Sequence, residues 1–356
     1  MSLQIDLAHP DLGYFDERLN LTEKETYRDC LASLGEATVL PPVSFRSKVF
    51  LEMENEQLWT REWIAIALEQ QFLNIGDMVP FTVGFHGVHI QKTNEGEYSA
   101  RLNRHQHGGC RFVPEQCRTG KQTKCTIASC NYTRDSKVMR AKDDGENSDE
   151  MYKFAGLVPE KLHQINYTKL GKVFLVNVDP SSRGVEPKHQ GVNIKQIAEI
   201  SEKLASNPEE HWLDFDCNWK LFVDEFCKFS SWDKKPAWLF PNLLCAELNN
   251  LPVIVVVQAT GMNKTLARCY INSNISSNDL AILDNVKMVG QSAIHAHSKF
   301  ASWGTSLAPE TVDEELPLVE TPDFLKFHKY LIDIITKKHN YGWNAPVMDG
   351  RMLQRR

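Results

Sequence analysis

The feature that most constrains the fold is a change in hydrophobic pattern about halfway along the chain. From Lys48 to about Pro180, short runs of Val, Ile, Phe and Tyr are separated by Gly, Asp and Asn, which is typical of β-strands joined by turns. Further on, apolar residues recur at helical spacing between shorter strand-like runs. The helical segments are 194–204, 219–229, 279–296 and 322–336, and the strands are 172–178, 253–258 and 266–273. This order predicts a β-rich segment between parts of an α+β domain.

The N-terminal stretch predicts a further helix. The amphipathic segment 21–34 begins after Asn20 and carries Glu23 and Glu25 in its first turn, and Pro41 follows it. A chain of 356 residues is long enough for two ordinary domains. We therefore predict an N-terminal helical segment that packs on the C-terminal domain, a β-domain and a larger α+β domain. Their predicted bounds are 1–44, 45–180 and 181–356.

Charge and apolar runs exclude several classes of partner. The formal net charge is -6 and the charges are mixed along the chain, so neither nucleic acid nor an anionic membrane surface is an expected partner. The longest apolar run, 253–257, is too short to span a bilayer, and the N-terminus lacks a secretory pattern. We expect a cytoplasmic protein. Its nine cysteines are then expected to be reduced thiols or metal ligands rather than disulfides.

Five short stretches, in this order, have the residues and spacing of one protein family. They are Lys48-Val-Phe50 with Trp59 and Trp63, Phe174–Pro180, Asn218–Val223, Pro241–Leu244, and Gln291 followed by Phe327-His328. Together they resemble, over nearly the whole chain, the large (α) subunits of Rieske-type non-haem iron ring-hydroxylating oxygenases.

The resemblance implies an α+β fold in which a small antiparallel β Rieske-like domain is inserted beside a helix-grip (START-like) catalytic-type domain. It also implies two iron centres, a [2Fe-2S] cluster and a mononuclear Fe(II). In the family, electrons pass from the cluster of one subunit to the iron of its neighbour in a ring-shaped trimer. Family likeness does not fix function, so each centre is compared with the residues of this chain.

The family's cluster motif is Cys-x-His followed, about seventeen residues later, by Cys-x-x-His. In the best register His107 and Cys125 are retained. The first cysteine is replaced by His105 and the last histidine by Ala128, whose methyl group cannot bind a metal. We therefore expect no conventional [2Fe-2S] cluster.

Soft metal ligands are nevertheless dense in this region. Two histidines and four cysteines within 26 residues suit a structural zinc site, although their spacing is looser than in common zinc motifs. They are His105, His107, Cys110, Cys117, Cys125 and Cys130. The alternatives are inherited or reactive cysteines without a metal, and an altered iron-sulfur site that uses four of these residues. The four are His105, His107, Cys125 and Cys130.

The ligands of the mononuclear iron are also replaced. In the family, Fe(II) is held by a carboxylate and two histidines about five residues apart, which leaves positions open for O₂. Ser231 and Pro236 stand near the histidine positions, and Lys228 stands where the family usually has an acidic residue linking the two centres. Asp279 or Asp284 is the candidate remnant of the carboxylate ligand. We therefore expect no Fe(II) centre.

Aromatic residues around the former iron position favour either an apolar pocket or ordinary core packing. The residues proposed to line the pocket are Phe226, Ser230, Ser231, Trp232 and Asp284. His295 and His297 are interpreted as ordinary surface or pocket residues, because the family has no ligands there.

The leading hypothesis is a degenerate, non-catalytic homologue of a Rieske oxygenase α subunit. It would form a homo- or hetero-oligomer, in a trimer-based assembly that includes an active α subunit. It could also bind a small-molecule ligand. One alternative is an active oxidoreductase with a rearranged metal site that hydroxylates an aromatic or other small organic substrate. The other is a small-molecule-binding protein.

Overall fold

A computed structural model describes residues 8–9, 13–84, 86–102, 163–179, 194–272, 277–302 and 316–337. The chain divides into two compact units. Unit 1 comprises residues 1–58 and 209–341, and unit 2 comprises residues 59–208 and 342–356. The three-segment organisation of the sequence analysis stays a prediction.

The first part of unit 1 contains short elements. They are β1 (Ala8–His9), β2 (Gly13–Asp16), β3 (Leu19–Asn20), a 3-10 helix (Lys24–Leu31), α1 (Val43–Arg46) and α2 (Lys48–Glu54). A π-helical turn, Asn55–Trp59, follows α2. Unit 2 contains β4 (Ile64–Leu68), a 3-10 turn (Glu69–Gln71), β5 (Met78–Val83), β6 (His86–Asn94), β7 (Glu97–Leu102), β8 (Asn166–Leu170), β9 (Val173–Asn177) and α3 (Ile194–Glu202). The second part of unit 1 contains β10 (Glu209–Phe215), α4 (Trp219–Lys228), β11 (Ala237–Leu239), β12 (Leu243–Leu248), β13 (Leu251–Gly261), β14 (Lys264–Ile271), α5 (Ser277–Ser302) and α6 (Pro322–Ile335).

A five-stranded antiparallel sheet forms the centre of unit 1, with the strand order β10-β14-β13-β12-β11. Its middle strand carries the run Val253–Val257, which is completely buried because both faces of the sheet are covered. On one face Phe215 of β10 stacks on Phe222 of α4, with ring centroids 5.2 Å apart. Helix α5 packs against both α4 and β10, so the sheet and the two helices share one core.

Unit 2 contains two three-stranded antiparallel sheets, β4-β9-β8 and β5-β6-β7. Every residue of β4 and β9 is buried, as expected for short continuous apolar runs. Gly171, in the turn between β8 and β9, has a φ of 56° and lies against Ala198 of α3, where a side chain would collide. The described chain is therefore a mixture of helices and small antiparallel sheets, and the α+β class is confirmed. Within the described ranges, the search for a helix long and apolar enough to cross a membrane finds none.

The helices and strands predicted in the second half of the chain are confirmed to within a few residues, except that α5 runs on to Ser302. The N-terminal prediction was wrong in type. Residues 24–31 form a 3-10 helix that is interrupted at Tyr27, whose hydroxyl donates to the carbonyl of Leu21 at 2.7 Å. Residues 48–54, which fall in the segment read as β-rich, form an α-helix capped by Ser47, whose side chain accepts from the amide of Phe50.

Close packing of α5 on the sheet yields a first prediction. A Cβ added at Gly290 would overlap the ring of Phe215, and both residues are in the core of unit 1. We expect Gly290→Ala to lower the free energy of unfolding by about 1–3 kcal/mol, because overpacking forces the ring or the helix to move. Urea denaturation of the full chain measures the change. The control is Gln291→Ala at the exposed neighbouring position, expected within about 0.5 kcal/mol of wild type. Equal stability of both variants would contradict this packing.

Candidate functional site

The start of helix α4 is anchored by Asn218. Its side-chain oxygen accepts from the amide of Lys220 at 3.2 Å, which is an N-cap contact. Its side-chain nitrogen donates to the carbonyls of Met262 at 2.8 Å and of Phe45 at 3.3 Å. The cap therefore connects α4 to the strand pair β13-β14 and to α1, and it fixes where the following side chains point.

Lys220 and Glu54 form a buried ion pair in unit 1. Lys220 Nζ lies 2.8 Å from Glu54 Oε1, and the two side chains are 0% and 1% exposed. Trp219 Nε1 donates to Glu54 Oε2 at 3.3 Å. Lys220 Nζ also lies 5.0 Å from the ring centre of Phe50, in cation-π contact. Burial raises the pKa of Glu54 and lowers the pKa of Lys220, and the attraction between the two groups opposes both shifts.

Further charged residues follow Lys220 at four-residue intervals on the same face of α4. Lys228 Nζ lies 2.7 Å from Asp224 Oδ2 and 3.1 Å from Glu320 Oε2. Burial raises the pKa of Asp224 to about 7, and the ammonium group of Lys228 counteracts part of this rise. Lys220, Asp224 and Lys228 therefore form a stripe of alternating charge, which we call the α4 stripe.

Two imidazoles lie near the α4 stripe. His328 of α6 is completely buried, and neither of its ring nitrogens has a hydrogen-bond partner among the residues that the structure describes. His297 of α5 is 9% exposed, and its Nδ1 is likewise without a partner in the described part of the chain. Burial, and then the positive charge of Lys220, lowers the pKa of both, to about 3 for His328. Both imidazoles are therefore neutral near pH 7.

The five residues predicted to line a pocket are not all brought together. Phe226 and Trp232 are buried with ring centroids 4.9 Å apart, and the Trp232 indole donates to the Phe226 carbonyl at 3.0 Å. Ser230 and Ser231 are exposed. Asp284, on α5, is also exposed, and its carboxylate lies 3.0 Å from Lys287. The pocket stays a prediction.

The described residues do not fit a two-histidine, one-carboxylate Fe(II) centre. The turn after α4 offers a hydroxyl at Ser231 and a proline ring at Pro236, near the positions where the resemblance would place the family's imidazoles. Within the described ranges, no group of three or more His, Cys, Asp or Glu is placed to hold a metal ion. The side chain of Asp279 lies outside the described residues.

The predicted metal-binding residues of the β-domain lie outside the described residues. They are His105, His107, Cys110, Cys117, Cys125 and Cys130. Their zinc and iron-sulfur alternatives stay predictions. The cysteines that the structure describes are free thiols, and all but the half-buried Cys227 are buried.

The burial of His297 and His328 was not predicted from the sequence. His328 was used only as a family landmark. It lies between Phe327 and Leu331 on the apolar face of α6, so the helical periodicity already placed it in the core. His297 was interpreted as a surface or pocket residue, and its position two residues after exposed His295 gave no sign of its burial.

Comparison with curated proteins finds distant relatives that are oxygenase subunits, whereas no family model matches the chain. The chain is 26% identical over 131 residues to the N,N-dimethyl phenylurea N-demethylase subunit alpha of Sphingobium sp. (strain YBL2), covering 36% of this chain and 28% of that protein. It is 22% identical over 203 residues to the carnitine monooxygenase oxygenase subunit of Escherichia coli (strain K12), covering 55% and 51%. The chain thus spans only about a quarter to a half of the length of these relatives.

Solved structures resemble the chain over more of its length. The quaternary ammonium Rieske monooxygenase CntA in complex with γ-butyrobetaine matches 88% of this chain and 99% of its own, with a TM-score of 0.58 and 13% identity. Naphthalene 1,2-dioxygenase from Rhodococcus sp. bound to indole matches 88% and 98%, with a TM-score of 0.55 and 12% identity. The chain therefore has the fold of Rieske oxygenase α subunits. This confirms the resemblance and the fold class predicted from the sequence.

The buried ion pair yields a second prediction. We expect Lys220→Met or Glu54→Leu alone to lower the free energy of unfolding by about 3–5 kcal/mol, because each leaves one buried group without its partner. The double variant is expected to lose less than either single variant, since no charge is then left uncompensated. Urea denaturation of the three variants forms a double-mutant cycle. Lys287→Met is the control, because it removes an exposed pair with Asp284 that is worth about 0–1 kcal/mol. Strictly additive losses would contradict the pairing.

The neutral imidazole of His328 yields a third prediction. Its pKa is lowered from 6.5 to about 3 on folding, so between these values the unfolded chain binds a proton that the folded chain does not. We expect its contribution to stability to be complete above about pH 6.5 and to be lost progressively as the pH falls toward about 3. The measurement is the free energy of unfolding of wild type and His328→Phe as a function of pH.

In this comparison the other titrating groups, Asp224 among them, are common to both proteins, so the difference isolates His328. Wild type should lose stability relative to His328→Phe on acidification. His295→Phe, at an exposed position of α5, should follow wild type. Parallel curves for wild type and His328→Phe would show that the imidazole is not held neutral.

Proposed function

We propose that this chain is a Rieske oxygenase α-subunit homologue without a mononuclear Fe(II) centre, and that it acts as a non-catalytic subunit or partner of an active oxygenase. The observation that carries the proposal is Lys228. It stands where the family usually has an acidic residue between the two metal centres, and it is held there by Asp224 and Glu320.

The position of Lys228 opposes a nearby metal cation. Its ammonium group repels positive charge, and it already interacts with two carboxylates. Asp224 is largely buried, so rotating its carboxylate away from Lys228 toward a metal would break this ion pair and leave Lys228 with the exposed Glu320. In this ion-pair network, the ammonium group of Lys228 supplies the positive charge that a metal ion would otherwise bring to these carboxylates.

The ligand positions support the same conclusion. The hydroxyl of Ser231 is a weak ligand for Fe(II), and Pro236 has no ligating group. Asp284 could supply one carboxylate, yet it is exposed and paired with Lys287 at 3.0 Å. One carboxylate does not form a facial triad.

The cluster region is proposed to have lost the conventional [2Fe-2S] ligand set as well. One thiolate and two imidazoles remain at or beside the family positions, in Cys125, His105 and His107. The neighbouring cysteines favour zinc in a structural site. A chain without either iron centre has no route for electrons and no O₂ site of its own.

A non-catalytic chain of this kind would act as a subunit beside an active partner. One structural study of a quaternary ammonium Rieske monooxygenase concerns inter-subunit electron transfer, which requires neighbouring subunits to meet. We propose that this chain keeps the surface for such an assembly, trimer-based in the family, and contributes no redox step. The alternatives are an active oxidoreductase with a rearranged metal site and a stand-alone small-molecule-binding protein.

Metal analysis tests the proposal. Full-length protein purified without oxygen is analysed for iron, zinc and acid-labile sulfide, and its visible spectrum is recorded. We expect a colourless protein with substoichiometric iron and sulfide. A matched variant, Lys228→Glu with Ser231→His and Pro236→His, restores the family residues at the three positions. It should gain Fe(II) binding after incubation with ferrous ion, while wild type should not.

The opposite results distinguish the alternatives. Stoichiometric iron with sulfide and a charge-transfer spectrum in wild type would overturn the proposal and favour an active oxidoreductase. In that case His105, His107, Cys125 and Cys130 would be the ligands to substitute. Failure to co-purify with an intact α subunit co-expressed with it would contradict the role as a subunit.

A further inference from the structure

Strand β10 forms one edge of the central sheet of unit 1. It comprises seven residues, Glu209–Phe215, and it pairs with β14 on one side. Within the described ranges, no strand lies on its other side. The pairing with β14 runs through all seven positions without a register shift, so the outer side presents a long and regular row of backbone donors and acceptors. Such an edge is a template for a further strand.

The other outer strands of the described sheets each have a feature that opposes an added strand. The strands β1, β3 and β11 have only two or three residues. A register shift interrupts β4, Pro80 lies within β5, and exposed Lys169 lies on β8. The outer side of β7 is bonded to the segment around Gln164. In contrast, β10 contains no proline, no lysine and no register shift, so it lacks each of these protections.

The side chains of β10 give this edge an acidic character. Glu210 is held in place by Trp212 Nε1, which donates to its Oε1 at 2.7 Å, and by the hydroxyl of Tyr270, which donates to the same oxygen at 3.2 Å. Asp214 follows Trp212 by two positions, so it lies on the same face of the strand, and it is exposed. One face of the edge therefore presents two carboxylates with an indole between them.

The neighbouring strand β14 supplies two cations, and both are already engaged. The guanidinium group of Arg268 lies 4.4 Å from the ring centre of Trp212 and donates to Gln258 at 3.0 Å. The ammonium group of Lys264 is paired with Asp216. The three carboxylates of β10 and that of Asp216 outnumber these two cations, so β10 and β14 together leave negative charge along the edge.

A second copy of the chain does not fit this edge. If two β10 strands paired antiparallel about Trp212, Glu210 of each would lie opposite Asp214 of the other, and like charges directly opposite are destabilising. A segment with basic residues at these two positions would form opposite-charge pairs instead. The acidic side chains therefore exclude a copy and favour a basic strand.

We propose that the outer edge of β10 binds an extended segment of a partner protein as an added strand, and that this segment carries a lysine or arginine opposite Glu210 and another opposite Asp214. The main-chain hydrogen bonds of the added strand supply affinity, and the two charge pairs supply specificity. Because side chains alternate along a strand, the segment has the pattern basic-x-apolar-x-basic, with the apolar residue beside Trp212. This surface does not depend on the state of the iron centres, so the inference goes beyond the proposed function.

The experiment uses a dye-labelled heptapeptide, Thr-Lys-Thr-Val-Thr-Lys-Thr, as the probe. It is titrated into full-length protein at low ionic strength, and binding is followed by fluorescence anisotropy. One control peptide has glutamate in place of both lysines, and another carries N-methyl groups at alternate residues, which block the hydrogen bonds of an added strand. The lysine peptide should bind at least about tenfold more tightly than either control, and it should slow hydrogen exchange in residues 209–215.

A charge reversal locates the contact on β10. Asp214→Lys should weaken binding of the lysine peptide about fivefold and should strengthen binding of the glutamate peptide. Asp284→Lys, at an exposed position of α5, should change neither affinity. If Asp214→Lys does not fold, Asp214→Asn serves in its place and should cause a smaller loss.

Three results would overturn the proposal. The first is equal binding of the three peptides, and the second is unchanged affinity of both charged peptides in the folded Asp214 variant. The third is slow exchange of every amide of residues 209–215 in the free protein, since the edge would then already be covered by this chain or by a second copy.

Discussion

Unit 1 depends on the buried contact between Lys220 and Glu54. The two residues are 166 positions apart in the sequence, and the contact joins α2 to the first turn of α4. Removing both charges from water is costly, and only good geometry and additional hydrogen bonds, such as that from Trp219 to Glu54, repay this cost. Because an unpaired lysine or glutamate in this interior would be worse than either a pair or two apolar residues, the contact selects one arrangement of the two segments. The side chain of Asn218 reinforces it through the carbonyl of Phe45.

Once Lys220 is fixed, its charge determines the chemistry of its surroundings. The imidazoles of His297 and His328 remain neutral because they are buried and lie near this cation. Further along the same face, Lys228 binds two carboxylates in place of the acidic residue that the family usually has there. The helix that would position iron ligands in the family thus positions an alternating row of lysine and aspartate.

Periodicity predicted the three long helices of unit 1 and two of the five strands of its sheet, β13 and β14, because these helices are amphipathic and these strands are apolar, but it did not predict β10, β11 and β12. It erred at residues 24–31, where side-chain bonds such as that of Tyr27 interrupt the helix, and at 48–54, where a short helix was hidden in a region of strand-like composition. For the candidate site, periodicity places His328 on the buried face of α6. It does not reveal what faces that residue, since the neighbouring lysines come from a segment about a hundred residues away in the sequence. The positions compared with the family's iron ligands follow from the resemblance in motif spacing rather than from periodicity.

The distribution of burial explains how a fold can persist when residues at its exposed positions change. Ser231 lies in an exposed turn after α4, where substitutions usually alter stability by only about 0.5 kcal/mol. Lys220 and Gly290 lie in the core, where a change of charge or volume lowers the free energy of unfolding several times more than a substitution at an exposed position does. Folding stability therefore constrains the buried contacts more strongly than the exposed turn that contains Ser231. A fold shared at 13% identity leaves the chemistry to be decided by the residues of the site.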